Sequence, residues 1–565
     1  MPGHTGCVYT CGFSLLLGQD FRNTKCVVLW GIDVENSCRA LCYADIQKAL
    51  GGGAKLIVID PRKTKLAEKA DIWMQVRPGT DCALALGMLN VTINEGLFDE
   101  TFVRKWTSGF EELRMHVQQY APEKVAEITW VPVEKIREAA RMYAHNSPAC
   151  IGVGAGSLCQ FINAFQTNRA IAILVSINGN VDIPGGHVDY SLALKDKATM
   201  AAQLDFPFGI LSPEQLKKRL SVGRVVSHSS FLNAHPAAVW PAINRGDPYP
   251  VKAMLGIAQN AVLSKEDSKR VMDTLIKLEF FVVTDLFMTP TAEIADIVLP
   301  AAHWSERDEV LDAYTRNYVF CHQKIVEAPD ECWEDKQILI ELARKLGLEG
   351  YFQSIEESLN NRLQRLEITF EDLRKNGVIE RPVSFKKYEK FKGFKTSTGK
   401  IELYSELLGQ IGSDPLPVFV EPPESPVSAP ELSKKCPLVL ITGIKNQAYF
   451  HSAYRNIPNL RKLLPEPLLE IHPAAAKERG IRDGDWVEII TPRGSVKHKA
   501  KISDKIDPRV VAAPHGWWYG YKDGWREVNI NVLTSGEYYD PDVGSSVFKG
   551  LLCQVRKADS PPVEI

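Results

Sequence analysis

Short, uniformly apolar runs alternate with amphipathic stretches through the first third of the chain. Cys26–Trp30 (CVVLW) and Lys55–Ile59 (KLIVI) carry no polar alternation, the pattern of strands buried on both faces of a parallel sheet. Ser37 is placed to cap a helix running to about Leu50, and Gly51-Gly52-Gly53 stops it. Ile72–Val76 predicts a third strand and Asp81–Glu95 a helix; Cys150–Gly154 and a helix over Asn163–Ile177 extend the layer. Strands alternating with helices imply right-handed βαβ units.

A second set follows the irregular, Ser-, Pro- and His-rich residues 190–245. It comprises Val251–Ile257, a polar helix near Lys265–Lys277, Phe280–Thr284 ending at Asp285, and Ile297–Leu299 closed by Pro300. Residues 330–395 read as helical and charged, and the proline cluster DPLPVFVEPPESPVSAP at 414–430 as an inter-domain linker. Beyond it the pattern changes to strands (Pro437–Thr442, Trp486–Ile490, Ser495–Ile502) with turns at Asp483-Gly484-Asp485 and Arg493-Gly494, a β-barrel-like module.

The expected class is therefore α/β: two Rossmann-like parallel-sheet domains plus a C-terminal double-psi β-barrel-like domain. The boundaries fall at 1–190, 191–410 with its connecting segment, a 411–435 linker, and 436–565. A chain of 565 residues has room for about three to five domains.

Composition narrows the function by exclusion. Lys+Arg 67 against Asp+Glu 69 provides no electrostatic footprint for nucleic acid or an anionic membrane. The longest apolar run, Ala170 to Val175, falls far short of the roughly 18 residues of a spanning helix. Twelve cysteines are too dilute for a disulfide scaffold, and MPGHTGCVYTCGF lacks the features of a signal peptide, so the default compartment is the cytoplasm. Twelve histidines include no H-E-x-x-H, and neither a nucleophile elbow nor a P-loop occurs.

The candidate chemistry lies at strand ends, where an open parallel sheet binds its ligands. Gly31 allows close approach to the backbone; Asp60 is placed to accept from a ribose or a guanine edge; Arg62, Thr64 and Arg77 suit phosphate oxygens. No G-x-G-x-x-G follows the first strand. The second set ends in the same way, at Ala258-Gln259-Asn260 and at Asp285 with Thr289, so two layers suggest two nucleotides or one two-headed cofactor.

TPTAEIADIVLP at 289–300, followed by Glu306, closely resembles the signature of the molybdopterin-guanine-dinucleotide oxidoreductases, the dimethyl-sulfoxide-reductase and formate-dehydrogenase superfamily. Matching stretches run along the chain: 31–36, Asp60-Pro61-Arg62-Lys63-Thr64, Arg77-Pro78-Gly79-Thr80-Asp81, Asn168-Arg169, 178–186, 396–402, Thr442-Gly443, Phe450-His451-Ser452 and His515-Gly516-Trp517. The resemblance implies two molybdopterin guanine dinucleotides carrying molybdenum or tungsten. Gly31, Asn36, Asp60, Arg62, Thr64, Gly79 and Asp81 would line one dinucleotide; Ala258, Asn260, Asp285, Thr289 and Asp296 would serve the other, Asp296 either as a contact or as a structural residue only; Thr442, Gly443, His451, Ser452 and His515 would reach over from the barrel. Asp33 stands where many members carry Asn.

Such members begin with a cysteine cluster for [4Fe–4S] and supply one protein ligand to the metal. Neither feature is recognisable here, so the ligand is expected upstream of Met1 or at Cys7, and the iron–sulfur domain in an upstream segment or a separate chain. The implied function is the catalytic subunit of an oxidoreductase with a small-molecule substrate and an iron–sulfur electron-transfer partner. Similarity to acetylene hydratase-like members keeps open a tungsten-dependent, non-redox hydratase, and a cofactor-less structural subunit is a third reading.

Overall fold

The computed structural model describes residues 2–38, 42–190, 212, 214–215, 218–220, 234, 236–312, 317–348, 350–522 and 524–563. The first sheet holds four parallel strands: β1 (Cys26–Trp30), β2 (Lys55–Ile59), β3 (Ile72–Met74) and β4 (Ala149–Val153), in the order β3-β2-β1-β4. Alternate side chains divide between two cores, as the period of a strand requires. Val28, Trp30, Ile57 and Ile59 join the helices Asp81–Asn94 and Ala164–Ile177; Val27, Leu29, Leu56 and Val58 join Ile46 and Ala49 on the opposite face. The chain leaves β1 towards β2 and returns to its other side at β4, so the order reverses between β1 and β4, the place where such sheets bind ligands.

A second parallel sheet runs β5 (Ala253–Ile257), β6 (Phe280–Asp285), β7 (Ile297–Pro300). Three antiparallel strands follow: β8 (Glu309–Asp312), β9 (Tyr318–His322) and β10 (Val378–Glu380). The C-terminal strands close a barrel: β11 (Leu438–Thr442), β12 (Leu468–Ile471), β13 (Trp486–Thr491), β14 (Gly494–Ile502), β15 (Val510–Ala513) and β16 (Leu551–Lys557). Its order is β11-β15-β12-β14-β13-β16, with β11/β15 and β12/β14 parallel and the remaining pairs antiparallel. The expected α/β architecture with a closed barrel is present. Barrel residues Leu440 and Leu469 share one core with Val262, Leu263, Phe281 and Val283 of the second sheet's layer.

Three local expectations need correction. Ser37 ends the short helix Val34–Ser37, its Oγ donating back to the Asp33 carbonyl, and the longer helix is Ala44–Gly51. Within 190–245, Pro236–Arg245 is a helix despite its internal Pro241, because Trp240 and Ala242 are buried; of the stretch expected to be irregular, 191–211, 213, 216–217, 221–233 and 235 lie outside the described residues. The proline-rich segment is no free tether. Glu421 takes both Nη groups of Arg77 at 2.7 Å, Asn163 Oδ1 accepts from the Val420 N–H at 2.8 Å, and Glu424 pairs with Arg493 of the barrel. It straps the barrel to the first sheet. Among the described residues, no helix is long and apolar enough to cross a membrane.

Candidate functional site

The barrel docks directly on the loops that leave β1 and β2. Arg62 donates through Nε and Nη2 to Glu470 at the start of this contact, at 2.7 and 2.9 Å, and the Lys63 N–H donates to the Lys505 carbonyl at 2.7 Å. Arg62 and Arg77, both read from sequence as phosphate binders, thus hold carboxylates that bind the parts of the molecule together. Thr64 Oγ1 accepts from the Ala67 N–H and closes a turn. Asn36 donates to Asp33 at 2.8 Å, which occupies the carboxylate standing in place of the family's Asn.

Gly31 sits at φ +60°, where a Cβ would lie 2.5 Å from Ser157 Oγ, so a side chain there would collide with the loop after β4. Gly79 adopts φ +88° beneath Pro422 and Phe161. Asp60 follows β2 and Asp81 opens the helix Asp81–Asn94, each buried and each pushed up to about 6 by loss of hydration. Asp81 accepts from the Trp30 indole at 2.8 Å, and Asp60 accepts from the Arg62 N–H at 2.8 Å.

Facing them from the barrel is a cluster of cations. Lys549, 9% exposed, donates to the Gly156 carbonyl at 2.7 Å, and burial lowers its pKa to about 8. Arg455, 3% exposed, is clamped between the rings of Tyr449 and Trp517 and donates to the carbonyls of Gly516, His451 and His515; burial lowers it to about 9, and its Nη1 has no partner. Nδ1 of His451 and Nε2 of His515 lie 2.9 Å apart, and Lys445 Nζ lies 3.1 Å from the same His451 nitrogen. Burial holds His515 well below an ordinary imidazole, and its Nδ1 is buried without a partner. Gly443, at φ +82°, leaves open the point where a Cβ would stand 3.5 Å from His515 Nδ1 and 3.8 Å from Lys549 Nζ. Among the described residues, none of the three cations Lys445, Arg455 and Lys549 forms an ion pair with a carboxylate, and burial lowers both imidazoles. Burial of Arg455 and Lys549 is costly with only the charges of Asp60 and Asp81 acting on Lys549, and an anion placed beside them reduces that cost.

Residues 4–345 match the molybdopterin oxidoreductase family, and residues 438–552 the molybdopterin dinucleotide binding domain. The chain belongs to the molybdopterin oxidoreductases. It is 33% identical to the acetylene hydratase of Syntrophotalea acetylenica over 97% of this chain and 79% of that protein. It is 30% identical to the dimethyl sulfoxide reductase DmsA of Escherichia coli, over 92% of this chain and 70% of that one. The alpha subunit of the F420-dependent formate dehydrogenase of Methanocaldococcus jannaschii is also 30% identical, over 92% and 74%. The solved structure of acetylene hydratase from Pelobacter acetylenicus superposes with a TM-score of 0.89 at 31% identity, covering 98% of this chain and 81% of that one. These relatives are enzymes, and so is the class to which this chain belongs.

The second group of expected residues gathers at the ends of β5 and β6. Ala258 adopts φ +48°. Asn260 is buried, its Oδ1 accepts from Thr291 at 2.7 Å, and its Nδ2 has no partner. Asp285 accepts from the N–H groups of Leu286 and Phe287, and Thr289 Oγ1 lies 3.5 Å away. Asp296 accepts from the Phe281 N–H at 2.7 Å, a structural bond. In the barrel, Thr442 Oγ1 donates to the Phe548 carbonyl, and the Ser452 carbonyl accepts from the Trp518 indole.

Cys7 lies in the helix Pro2–Cys11, 1% exposed in the main core with Cys11, and burial pushes its thiol well up. Among the described residues, no group of three or more His, Cys, Asp or Glu side chains could hold a metal ion. Sequence reasoning missed Lys445, Arg455 and Lys549. Lone basic residues carry no local signal; folding of the C-terminal module brings Lys445 and Arg455 to His451 and His515, and Lys549 alone of the three reaches the first sheet's layer, at the Gly156 carbonyl.

Proposed function

We propose that this chain is the catalytic subunit of a molybdenum- or tungsten-dependent oxidoreductase that binds two molybdopterin guanine dinucleotides, acts on a small molecule, and exchanges electrons with an iron–sulfur partner in the cytoplasm. The observation that carries this reading is the cluster of Lys445, Arg455 and Lys549, none of them ion-paired with a carboxylate among the described residues, beside the imidazoles of His451 and His515. A cofactor with pyrophosphate groups supplies the missing negative charge. In this reading the open point at Gly443, the Nδ1 of His515, the free Nη1 of Arg455 and Lys549 receive the anionic part of one dinucleotide. Gly31, Gly79, Asp60 and Asp81 line its nucleoside end, and Asn36 and Thr64 shape the surrounding loops. Ala258, Asn260, Asp285 and Thr289 serve the second guanosine, with the unpartnered Asn260 Nδ2 offering a donor. Thr442 and Ser452 position the barrel loops by their own hydrogen bonds. When bound, the metal–dithiolene group supplies two-electron chemistry.

The protein's own part is orientation and charge. Glu470 and Glu421 keep Arg62 and Arg77 as braces, so the site keeps its shape before the cofactor enters. The test is elemental mass spectrometry with a guanine assay after acid hydrolysis of the purified chain. Two guanines per molybdenum or tungsten are expected; a folded chain containing neither overturns the proposal. Turnover without net electron transfer in a redox titration would favour hydration, the chemistry named for the acetylene hydratase relatives.

A further inference from the structure

A cavity of about 140 Å³ lies where the segments around β1 and β4 meet. Phe21 and Val34, 4% and 1% exposed, line it from the core that also holds Ile46 and Ala49. Leu17, Ile32 and Val153 are half-buried and line it nearer the surface. Gly152 leaves room beside the Phe21 ring, since a Cβ there would stand 2.9 Å from Phe21 Cζ. The lining has little to offer a polar guest. Among the described residues it carries no charged side chain and a single amide, Gln19, whose Nε2 donates to the carbonyls of Leu16 and Ile151. The Cys42 thiol turns to the Cys38 carbonyl at 3.5 Å.

A buried water needs two to four polar partners, so a cavity walled by aliphatic and aromatic carbon stays dry; one of about 150 Å³ lined by Leu, Ile and Phe takes up benzene or xenon. We infer that the cavity between Phe21, Val34 and Val153 is a binding site for one small, neutral, apolar molecule of about the size of benzene. None of its lining residues is among those given above to either dinucleotide, so the inference does not rest on the proposed function. The guest is held by van der Waals contact and by its removal from water, with no bond made or broken. Ile32 and Val34 flank Asp33, whose carboxylate holds Asn36 at 2.8 Å, so the guest touches the chain on both sides of that pair.

The probe is benzene, added to the full chain carrying ¹³C-labelled Ile, Leu and Val methyl groups. The methyls of Leu16, Leu17, Ile32, Val34 and Val153 are expected to shift together and to saturate, with a Kd on the order of 1 mM. Xenon under pressure should move the same set. Val153→Phe and Cys38→Leu each place added carbon in the cavity and should weaken benzene binding by at least about tenfold, with the rest of the methyl spectrum kept. Pyridine has the same shape but a ring nitrogen that the lining leaves without a good donor, and should bind about tenfold more weakly than benzene. Shifts that fail to saturate or spread over the whole chain overturn the site, as does wild-type affinity in either folded variant. Pyridine binding as tightly as benzene overturns the apolar class of the guest. If neither variant folds, saturation and confinement of the wild-type shifts decide the question by themselves.

Discussion

Replacing Glu421 by Gln asks whether Arg77 is a brace or a phosphate ligand. Arg77 has a side chain only 4% exposed; both Nη groups donate to Glu421 at 2.7 Å and Nε donates to the Ile128 carbonyl at 2.7 Å. Deleting one charge of a buried pair leaves the other uncompensated, at a cost of about 3–5 kcal/mol. Glu421 retains 22% exposure, so water screens part of that loss, and about 2–3 kcal/mol is the expected effect. The cost should appear where the strap is held. Hydrogen exchange by mass spectrometry on peptides covering 414–430 should accelerate by about 30- to 150-fold, at one decade per 1.4 kcal/mol. Exchange unchanged within about twofold, together with a fall in bound guanine, would refute the brace and return Arg77 to phosphate binding.

Further predictions address the site's shape and its titration. A Cβ on Gly154 would lie 1.9 Å from the Gly31 carbonyl oxygen, so Gly154→Ala should force β1 and β4 apart at their carboxyl ends. Most bound guanine should be lost while far-ultraviolet circular dichroism stays native; full guanine content would contradict this. His498 is buried in the barrel and lowered to about 4 by loss of hydration, below its unfolded value of about 6.5. The unfolded chain therefore takes up a proton that the folded barrel refuses. The stability tied to His498 is present above about pH 6.5 and is lost as pH falls towards 4, by at most about 1.4 kcal/mol per pH unit. His498→Gln should remove that slope from denaturant titrations, and an unchanged slope would show that other groups carry it. Lys387 and Asp182 form a buried pair with side chains 9% and 3% exposed. Lys387→Met should cost about 3–5 kcal/mol, read as a lower calorimetric midpoint; an unmoved midpoint would count against the pair.

Much of the fold was legible because it is encoded locally. β1, β2 and β11 fall on the apolar runs that predicted them, since a strand buried on both faces must be continuously hydrophobic, and β5 and β6 fall on their predicted runs although they are only partly buried. The barrel's alternation in Trp486–Thr491 and Gly494–Ile502 is equally local. The family was legible for a different reason: many short loop motifs, each weak, occur in the right order.

The roles of individual charges were not legible. Arg62 beside Asp60 and Arg77 before Pro78 look like anion binders, yet their partners Glu470 and Glu421 stand 408 and 344 residues away. A proline-rich segment looks like a linker until its carboxylates find Arg77 and Arg493. Lys549 and Arg455 are ordinary basic residues in sequence; only the fold brings Lys549 to the Gly156 carbonyl and Arg455 between Tyr449 and Trp517. Composition and periodicity determined which segments are buried and which ligand chemistry the loops resemble, because burial and backbone conformation depend on neighbours within a few residues. Tertiary structure alone decided which charges are satisfied, because a charge's free energy depends on whatever group lies within a few ångströms, however distant in the chain.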